Sequence, residues 1–170
     1  MRDAPAIVLV HGAWGCPAMW NQVIERLPPG HDVIVADLPT CLRPGTSLAD
    51  DAAHVQEIAG DGPVVLVGHS YGGAVITEAG ASIPGVQHLV YLAAAMPDTG
   101  ETMFELVSKR DTGVEMALAF LDDGTSTLVI DEDDPPYDAE TMARLTEVGL
   151  RPFAIAGVMA PLSTAAWTTV

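Results

Sequence analysis

The turn at Gly68–Gly72 constrains the fold more than any other feature of the sequence. It follows Val64–Val67, a short apolar run of mostly β-branched residues that predicts a buried strand, and it leads into a helix-like stretch that reaches Ala79. A Gly-x-Ser-x-Gly pattern between a strand and a helix predicts a nucleophile elbow, a turn so tight that Ser70 takes a strained backbone conformation. We expect this turn to lift the Ser70 hydroxyl clear of the sheet, within reach of a substrate carbonyl.

Strands and helices alternate through the first half of the chain. Four apolar runs predict buried strands, at Ile7–Val10, Val33–Ala36, Val64–Val67 and Leu89–Ala93. Helices are predicted between them: one after Pro17, one that begins at a Ser47–Asp50 capping box, and one from Tyr71 to about Gly80. This alternation predicts an α/β fold with a mostly parallel sheet and helices on both faces.

The rhythm of strands and helices changes after residue 96. Apolar spacing predicts a short strand over 127–130 and helices over 103–107, 114–121 and 139–148. The proline-stiffened acidic run at 131–136 is interpreted as a solvated loop rather than a metal site. We therefore predict a core over 1–96, a helical cap over 97–166 that covers the face carrying Ser70, and the start of the next core strand over 167–170.

The charge of the chain argues against several classes of function. Its 170 residues carry a formal net charge of −16 and a single lysine, Lys109, whereas binding to nucleic acid or to an anionic membrane needs clustered basic residues. No apolar run approaches the ~20 residues of a membrane span, and Met1–Asp3 leaves no room for a signal peptide before the first strand. These features predict a cytoplasmic protein in which Cys16 and Cys41 are free thiols.

The loop after the first strand is expected to complete a catalytic constellation with Ser70. A serine hydroxyl attacks a carbonyl only when a base takes its proton, and the oxyanion that forms needs preorganised N–H donors. Tyr71, directly after Ser70 at a helix N-terminus, offers one backbone N–H. Ala13 offers the other, with Trp14 as an alternative, because Gly12 lets this loop approach closely.

In these features the chain resembles the α/β-hydrolase superfamily, and within it the branch of small esterases and hydroxynitrile lyases that includes plant methyl esterases and bacterial esterases. The segments that carry the resemblance are Val10–Trp14 with Trp20, Asp37–Pro39, Gly68–Gly73 and Tyr91–Pro97. The resemblance implies catalysis by Ser70, an oxyanion hole formed by Ala13 and Tyr71, and a small-molecule ester substrate in a pocket at Gly12 and Trp14. We expect no metal and no organic cofactor.

The resemblance also bears on the type of reaction and on the catalytic acid and histidine. The lyases of this branch carry a threonine at the position of Gly12, so glycine favours ester hydrolysis through an acyl-enzyme on Ser70. Family members place the catalytic acid and histidine on strands that follow the cap. None of the five histidines of this chain follows the cap; they are His11, His31, His54, His69 and His88. We therefore expect a chain truncated before the triad Asp and His, which would lie beyond residue 170, and inactive on its own.

Two histidines and two aspartates lie near the predicted strand ends and are the possible triad members within the chain. The elbow is expected to turn His69 away from the pocket, and His11 is expected to hydrogen-bond within its own loop. Asp37 and Asp98 lie at strand ends and are candidate acids by position only.

Alternatives to ester hydrolysis stay open at this point. The same scaffold can hold a small ligand under its cap without turning it over, or support lyase or acyl-transfer chemistry. The family's strand order would also leave Leu89–Ala93 as an exposed apolar edge, which is an aggregation hazard. We expect a second chain, a second copy of this chain, or the cap folded back to cover that edge.

Overall fold

The computed structural model describes residues 4–109, 118–129 and 139–170. Its centre is a four-stranded parallel sheet with the order β2-β1-β3-β4, which confirms the predicted α/β fold. The strands are β1 (Ala6–Val10), β2 (Val33–Val35), β3 (Val64–His69) and β4 (Val86–Leu92). Val10 of β1 pairs with Gly68 of β3, so Gly12 and Ser70, two residues further along each strand, meet at the same edge of the sheet.

Helices connect the strands of the core. They are α1 (Asn21–Ile24), α2 (Leu48–Ala59) and α3 (Gly72–Gly80), with 3-10 turns at Pro17–Trp20 and Pro39–Cys41. The predicted capping box at the start of α2 is present: the Asp50 carboxylate accepts hydrogen bonds from the Ser47 N–H and hydroxyl at 2.8 and 2.9 Å. This box fixes where α2 begins.

The two faces of the sheet are covered unequally. Along β3, Val64 and Leu66 are fully buried on the face that packs against α2 and α3, whereas Val65 and Val67 on the opposite face are only partly buried. On that second face, Trp20 lies just before α1 and is buried. Helices therefore flank both faces, as predicted, although α1 is only four residues long.

The edge strand β4 leaves apolar side chains exposed. In the described part of the chain β4 pairs with β3 alone, and Val90 and Leu92 are 37% and 41% exposed. The exposed edge expected at Leu89–Ala93 is thus present, while its coverage by a second chain or a second copy stays a prediction.

The region after residue 96 forms a mixed cap of helices and a small sheet. Its helices are α4 (Met103–Ser108), α5 (Ala139–Val148) and α6 (Ala156–Met159). Its antiparallel strands, in the order β5-β6-β7, are β5 (Leu118–Phe120), β6 (Thr125–Leu128) and β7 (Phe153–Ala154). None of the helices in the described ranges has the length and apolar character needed to cross a bilayer.

Two local predictions in this region are wrong. Leu118–Phe120 form a strand rather than the end of a helix, because the turn at Asp122–Gly124 folds them back onto β6 as a hairpin. Ala166–Thr168 form a 3-10 turn that packs against α3 instead of starting a core strand. Residues 110–117 and the acidic run 131–136 lie outside the described residues, and the division between core and cap stays a prediction.

Candidate active site

Ser70 lies in the sharp turn between β3 and α3. β3 ends at His69 and α3 begins at Gly72, so strand passes into helix within two residues. Ser70 adopts φ +54°, in the left-handed region that residues other than glycine rarely occupy. The Ser70 N–H donates to the Leu92 carbonyl at 3.4 Å, and the Ser70 carbonyl accepts from the Ala95 N–H at 3.0 Å. The strained turn expected from the sequence is therefore present and is held by the strand next to it.

Three glycines make room for this turn. A side chain at Gly68 would collide with the carbonyl of Gly72, and a Cβ at Gly72 would lie 2.5 Å from the Val10 carbonyl oxygen. A Cβ at Gly12 would lie 2.9 Å from the Cβ of Ser70. The loop after β1 therefore packs directly against Ser70, and any side chain at position 12 would push the two apart.

The backbone N–H groups of Ala13 and Tyr71 are among those near Ser70 that have no acceptor within the described residues. Ala13 lines the same cavity as Ser70. Tyr71 immediately precedes α3, and the first N–H groups of a helix have no partner within the helix. The role of the Ala13 and Tyr71 N–H groups as donors to an oxyanion stays a prediction.

A cavity of about 370 Å³ opens onto Ser70. The polar residues in its wall are serines, Ser70, Ser108 and Ser126, and no charged side chain lines it within the described residues. The apolar wall comes from the loop after β1 and from the cap, and includes Ala13, Trp14, Met103, Phe104, Phe120, Phe153 and Met159. Gly12, which the sequence placed in the pocket with Trp14, is not among the lining residues, although a Cβ there would lie against the Cβ of Ser70.

The cap holds Trp14 in a second left-handed conformation. Trp14 adopts φ +59°, and its indole N–H donates to the carbonyl and hydroxyl oxygens of Ser126 at 3.1 and 3.2 Å. The Trp14 carbonyl accepts from the Arg151 N–H at 2.9 Å, and its ring packs against Phe153 with 5.6 Å between ring centroids. The position of the loop after β1 therefore depends on the cap.

His11 is a structural, neutral imidazole. Its Nε2 accepts the Leu38 N–H at 3.3 Å, so its proton is on Nδ1, which donates to the Gly12 carbonyl at 2.8 Å. Burial lowers the pKa of His11 below its usual value and keeps the ring uncharged. Because both ring nitrogens are engaged, His11 is not placed to take the proton of Ser70.

His69 faces away from the Ser70 cavity. Alternation along β3 places it on the second face of the sheet, where it lines a separate cavity of about 250 Å³ with Trp20 and Leu92. Burial also lowers the pKa of His69. In the part of the chain that the structure describes, no histidine hydrogen-bonds to Ser70.

Within the described residues, neither candidate acid accepts a hydrogen bond from a histidine. Asp37 Oδ1 accepts from Arg151 Nη1 at 2.5 Å and lies 3.9 Å from His11 Nε2. Asp98 is exposed, and its backbone N–H donates to a Glu101 carboxylate oxygen at 3.0 Å. Asp37 thus links the end of β2 to the cap instead of orienting a catalytic histidine.

Sequence reasoning missed two residues near the site, Asp51 and Arg151. Asp51 is fully buried and accepts a hydrogen bond from the Tyr71 hydroxyl. It lies three residues after Leu48 and four before Val55, on the buried stripe of α2, and that spacing is the signal that identifies it. Nothing local marks Arg151, because its partners Asp37 and Trp14 lie more than a hundred residues away.

The sequence profile of the alpha/beta hydrolase family matches residues 7–170. The chain belongs to this family. Among curated proteins, the chain is similar to the carbendazim hydrolyzing esterase of Nocardioides sp. strain SG-4G, with 31% identity over 113 residues that cover 60% of this chain and 47% of that protein. It is also similar to the pimeloyl-(acyl-carrier protein) methyl ester esterase of Vibrio campbellii, with 36% identity over 98 residues that cover 55% of this chain and 38% of that protein. The chain thus spans at most about half the length of these relatives.

Solved structures support the fold. A pyrethroid hydrolase from Sphingobium faniae JZ-2 superposes with a TM-score of 0.66 at 20% identity and covers 93% of this chain and 71% of its own. Tomato methylketone synthase I, solved with 2-tridecanone, superposes with a TM-score of 0.63 at 18% identity and covers 91% of this chain and 69% of its own. At such identities the likeness establishes the α/β-hydrolase fold and leaves the reaction to be argued from the site.

Proposed function

We propose that Ser70 is the nucleophile of a serine hydrolase that cleaves carboxylic esters of small molecules through an acyl-enzyme. One observation carries the proposal: a serine in a left-handed turn forms part of the wall of an apolar cavity, beside two N–H groups that have no acceptor in the described chain. Strained residues persist only where the surrounding structure holds them, and they cluster at active sites. The esterases among the relatives agree with this chemistry.

The proposed reaction uses the groups around Ser70 in two steps. A base takes the proton of the Ser70 hydroxyl as its oxygen bonds to the ester carbonyl carbon, and the N–H groups of Ala13 and Tyr71 stabilise the oxyanion. The alcohol leaves with that proton and the acyl group stays on Ser70. Water, deprotonated by the same base, then adds to the acyl carbon, and the bond to Ser70 breaks as the base returns that proton to the Ser70 oxygen and the carboxylic acid is released. Neither a metal nor an organic cofactor is required.

The cavity favours substrates whose bound part is apolar and uncharged. Its walls are aliphatic and aromatic, and the polar groups that line it are serine hydroxyls. Moving a charged group into such a site costs several kcal/mol unless an opposite charge meets it. The net charge of −16 also repels anionic esters at a distance. We therefore propose neutral esters with an apolar acyl or alcohol group as the substrate class.

We propose that the base and its acid partner belong to polypeptide other than these 170 residues. The support is that His11 has both ring nitrogens engaged and that His69 faces the other side of the sheet. The matched segments cover 47% and 38% of the two relatives, so each relative contains further chain that could hold both groups. The cytoplasmic location stays a prediction as well.

Chemical rescue tests the function on the chain as it is. Imidazole added to the solution is a small base that can enter an open cavity and take the Ser70 proton. We expect the wild type with imidazole to hydrolyse p-nitrophenyl butyrate faster than imidazole alone, and Ser70→Ala to show no such excess. Ser108→Ala is the matched control, because it removes a hydroxyl from the same cavity and keeps Ser70. Equal rates for wild type and Ser70→Ala would contradict the proposal.

A ligand-binding function is the second candidate. The observation that favours it is the apolar cavity next to a serine that has no base among the described residues. Saturable binding of an apolar ester, without release of its alcohol even in the presence of imidazole, would select this function. Lyase chemistry is less favoured, since a threonine at position 12 has no room beside Ser70.

A further inference from the structure

Asp51 is a buried carboxylate for which the proposed reaction has no direct use. It lies in the first turn of α2 and has no exposed surface. Its Oδ1 accepts the Thr40 N–H at 2.9 Å, and its Oδ2 accepts the Thr40 hydroxyl at 2.6 Å and the Tyr71 hydroxyl at 2.8 Å. No lysine or arginine among the described residues pairs with it. A buried charge without a cation is costly, so these three hydrogen bonds and the helix N-terminus must offset much of that cost.

The Tyr71 side chain is held by contacts with α2 and with the cap. The Asp51 carboxylate in α2 accepts a hydrogen bond from its hydroxyl. The ring of Phe153 in β7 packs edge-on against the Tyr71 ring, with 4.9 Å between centroids. A Cβ at Gly157 in the cap would lie 2.8 Å from the Tyr71 hydroxyl oxygen. Tyr71 itself is fully buried. Its side chain has no space in which to take another position.

The backbone of Tyr71 connects this contact to Ser70. Its carbonyl accepts the N–H groups of Ala74 and Val75 at 2.9 and 3.3 Å, which starts α3, and its own N–H is one of the two proposed oxyanion donors. A side chain that cannot rotate fixes the Cα to which it is attached. The direction of the Tyr71 N–H is therefore coupled to the hydrogen bond at the far end of the ring.

We propose that Asp51 is a positioning residue for the elbow: its hydrogen bond to the Tyr71 hydroxyl fixes the backbone N–H that follows Ser70. The proposal rests on the proposed function and deepens it. Core packing alone does not account for the pair, since a phenylalanine and an uncharged residue would fill the same space without burying a charge. Burial raises the pKa of Tyr71 well above its usual value, so the phenol remains a hydrogen-bond donor at neutral pH.

Two single variants and their combination test the proposal. Tyr71→Phe removes only the hydroxyl, and Asp51→Asn keeps the shape of the carboxylate and removes its charge. The rate of covalent modification of Ser70 by a fluorophosphonate in the presence of imidazole is measured against reagent concentration. We expect each variant to lower the limiting rate at least fivefold with little change in the half-saturating concentration. The double variant is expected to be no slower than the slower single variant, because all three remove the same contact, the hydrogen bond from the Tyr71 hydroxyl to a charged carboxylate.

Tyr91→Phe is the matched control. Its hydroxyl is also hydrogen-bonded, to the Thr77 hydroxyl in α3 at 2.9 Å, but it lies outside the proposed machinery. We expect its limiting rate to stay within twofold of the wild type. A folded Tyr71→Phe protein that also stays within twofold would overturn the proposal.

Amide hydrogen exchange at Gly73, Ala74 and Val75 gives a second reading that needs no chemistry at Ser70. We expect faster exchange at these amides in Tyr71→Phe and unchanged exchange in the last turn of α3. If wild-type Ser70 is not modified at all, the proposed function fails, and exchange alone then decides whether Asp51 holds the elbow. Unchanged exchange in Tyr71→Phe would overturn that part too.

Discussion

Gly12 and Ser70 come into contact because parallel pairing aligns the ends of β1 and β3. A glycine at position 12 is the residue that permits this approach, since a Cβ there would lie 2.9 Å from the Cβ of Ser70 and 3.3 Å from Nδ1 of His69. Gly12 thus sets the distance between the loop that carries Ala13 and the serine itself. At the residue scale, the site depends on the lack of a side chain at position 12 as much as on Ser70.

Gly12→Ala tests this packing. We expect the imidazole-dependent modification of Ser70 by a fluorophosphonate to slow at least tenfold, because the added methyl group pushes the oxyanion loop away, and the free energy of unfolding to fall by about 1–3 kcal/mol. Gly62→Ala is the control, since a Cβ there would meet nothing within 4 Å. If the fluorophosphonate modifies Ser70 equally fast in Gly12→Ala and Gly62→Ala, the contact between Gly12 and Ser70 has no role in the site.

Asp51 makes stability depend on pH in a specific direction. Burial raises the pKa of Asp51 from 3.8 to about 6, against the opposing effect of hydrogen bonds from Thr40 and Tyr71. The folded state therefore holds this proton more tightly than the unfolded state, and the stabilising contribution is present below pH 4 and is lost as the pH rises through about 6. That loss corresponds to about 3 kcal/mol at 1.36 kcal/mol per pH unit.

The free energy of unfolding of wild type minus that of Asp51→Asn, measured by urea denaturation from pH 4 to pH 7, isolates this group from the other carboxylates. We expect the difference to fall as the pH rises and to level off above about pH 7. A difference that is flat, or that rises with pH, would show that Asp51 is not buried in its charged form.

At the scale of elements, contacts with the cap stabilise the position of the loop after β1. Arg151 contributes twice: its backbone N–H donates to the Trp14 carbonyl, and its guanidinium donates to Asp37 at the end of β2. The side chains of the Arg151–Asp37 pair are 34% and 37% exposed, so solvent screens the attraction. Exposed pairs of this kind typically contribute 0.2–1 kcal/mol.

Arg151→Gln removes the ion pair and leaves the backbone hydrogen bond in place. We expect the melting temperature to drop slightly, and the drop to shrink at high salt, because both side chains are about a third exposed and salt screens exposed charges. Arg144→Gln is the matched control, because Arg144 pairs with Glu140 on the surface of α5, at 54% and 75% exposure. If Arg151→Gln lowers the melting temperature no more than Arg144→Gln does, the Arg151–Asp37 ion pair does not contribute to holding the cap.

The sequence predicted the elements whose signals are local, and missed those that depend on distant contacts. The elbow was predictable because the strand, the glycines and Ser70 lie within ten residues of each other. The hairpin at 118–128 was not, because a three-residue apolar strand carries no periodicity that separates it from the end of a helix. The role of Asp51 was hidden for a related reason, since its partners Thr40 and Tyr71 lie 11 and 20 residues away.

At the scale of the whole molecule, one side of the sheet is incompletely covered. Val65 and Val67 in β3 and Val90 and Leu92 in β4 share the second face, and β4 has an edge without a partner strand in the described residues. Exposed apolar edges favour association, whereas the net charge of −16 opposes it through repulsion that salt screens.

The isolated chain is therefore expected to self-associate, and to do so more strongly in about 0.5 M salt than in about 0.05 M salt. Sedimentation velocity measures this association. Val90→Lys places a charge on the exposed face and should shift the chain towards the monomer. Leu42→Lys changes the net charge equally at a 51% exposed leucine outside the sheet. Equal association for the two variants would rule out the edge of β4 as the contact.

The most direct measurement of the central claim is the site of covalent modification by a fluorophosphonate in the presence of imidazole. Intact mass gives the stoichiometry, and peptide mapping gives the residue. The account predicts one adduct per chain, on Ser70, that is lost in Ser70→Ala and kept in Ser108→Ala. An adduct on any other residue, or an unmodified chain that is demonstrably folded, would contradict it.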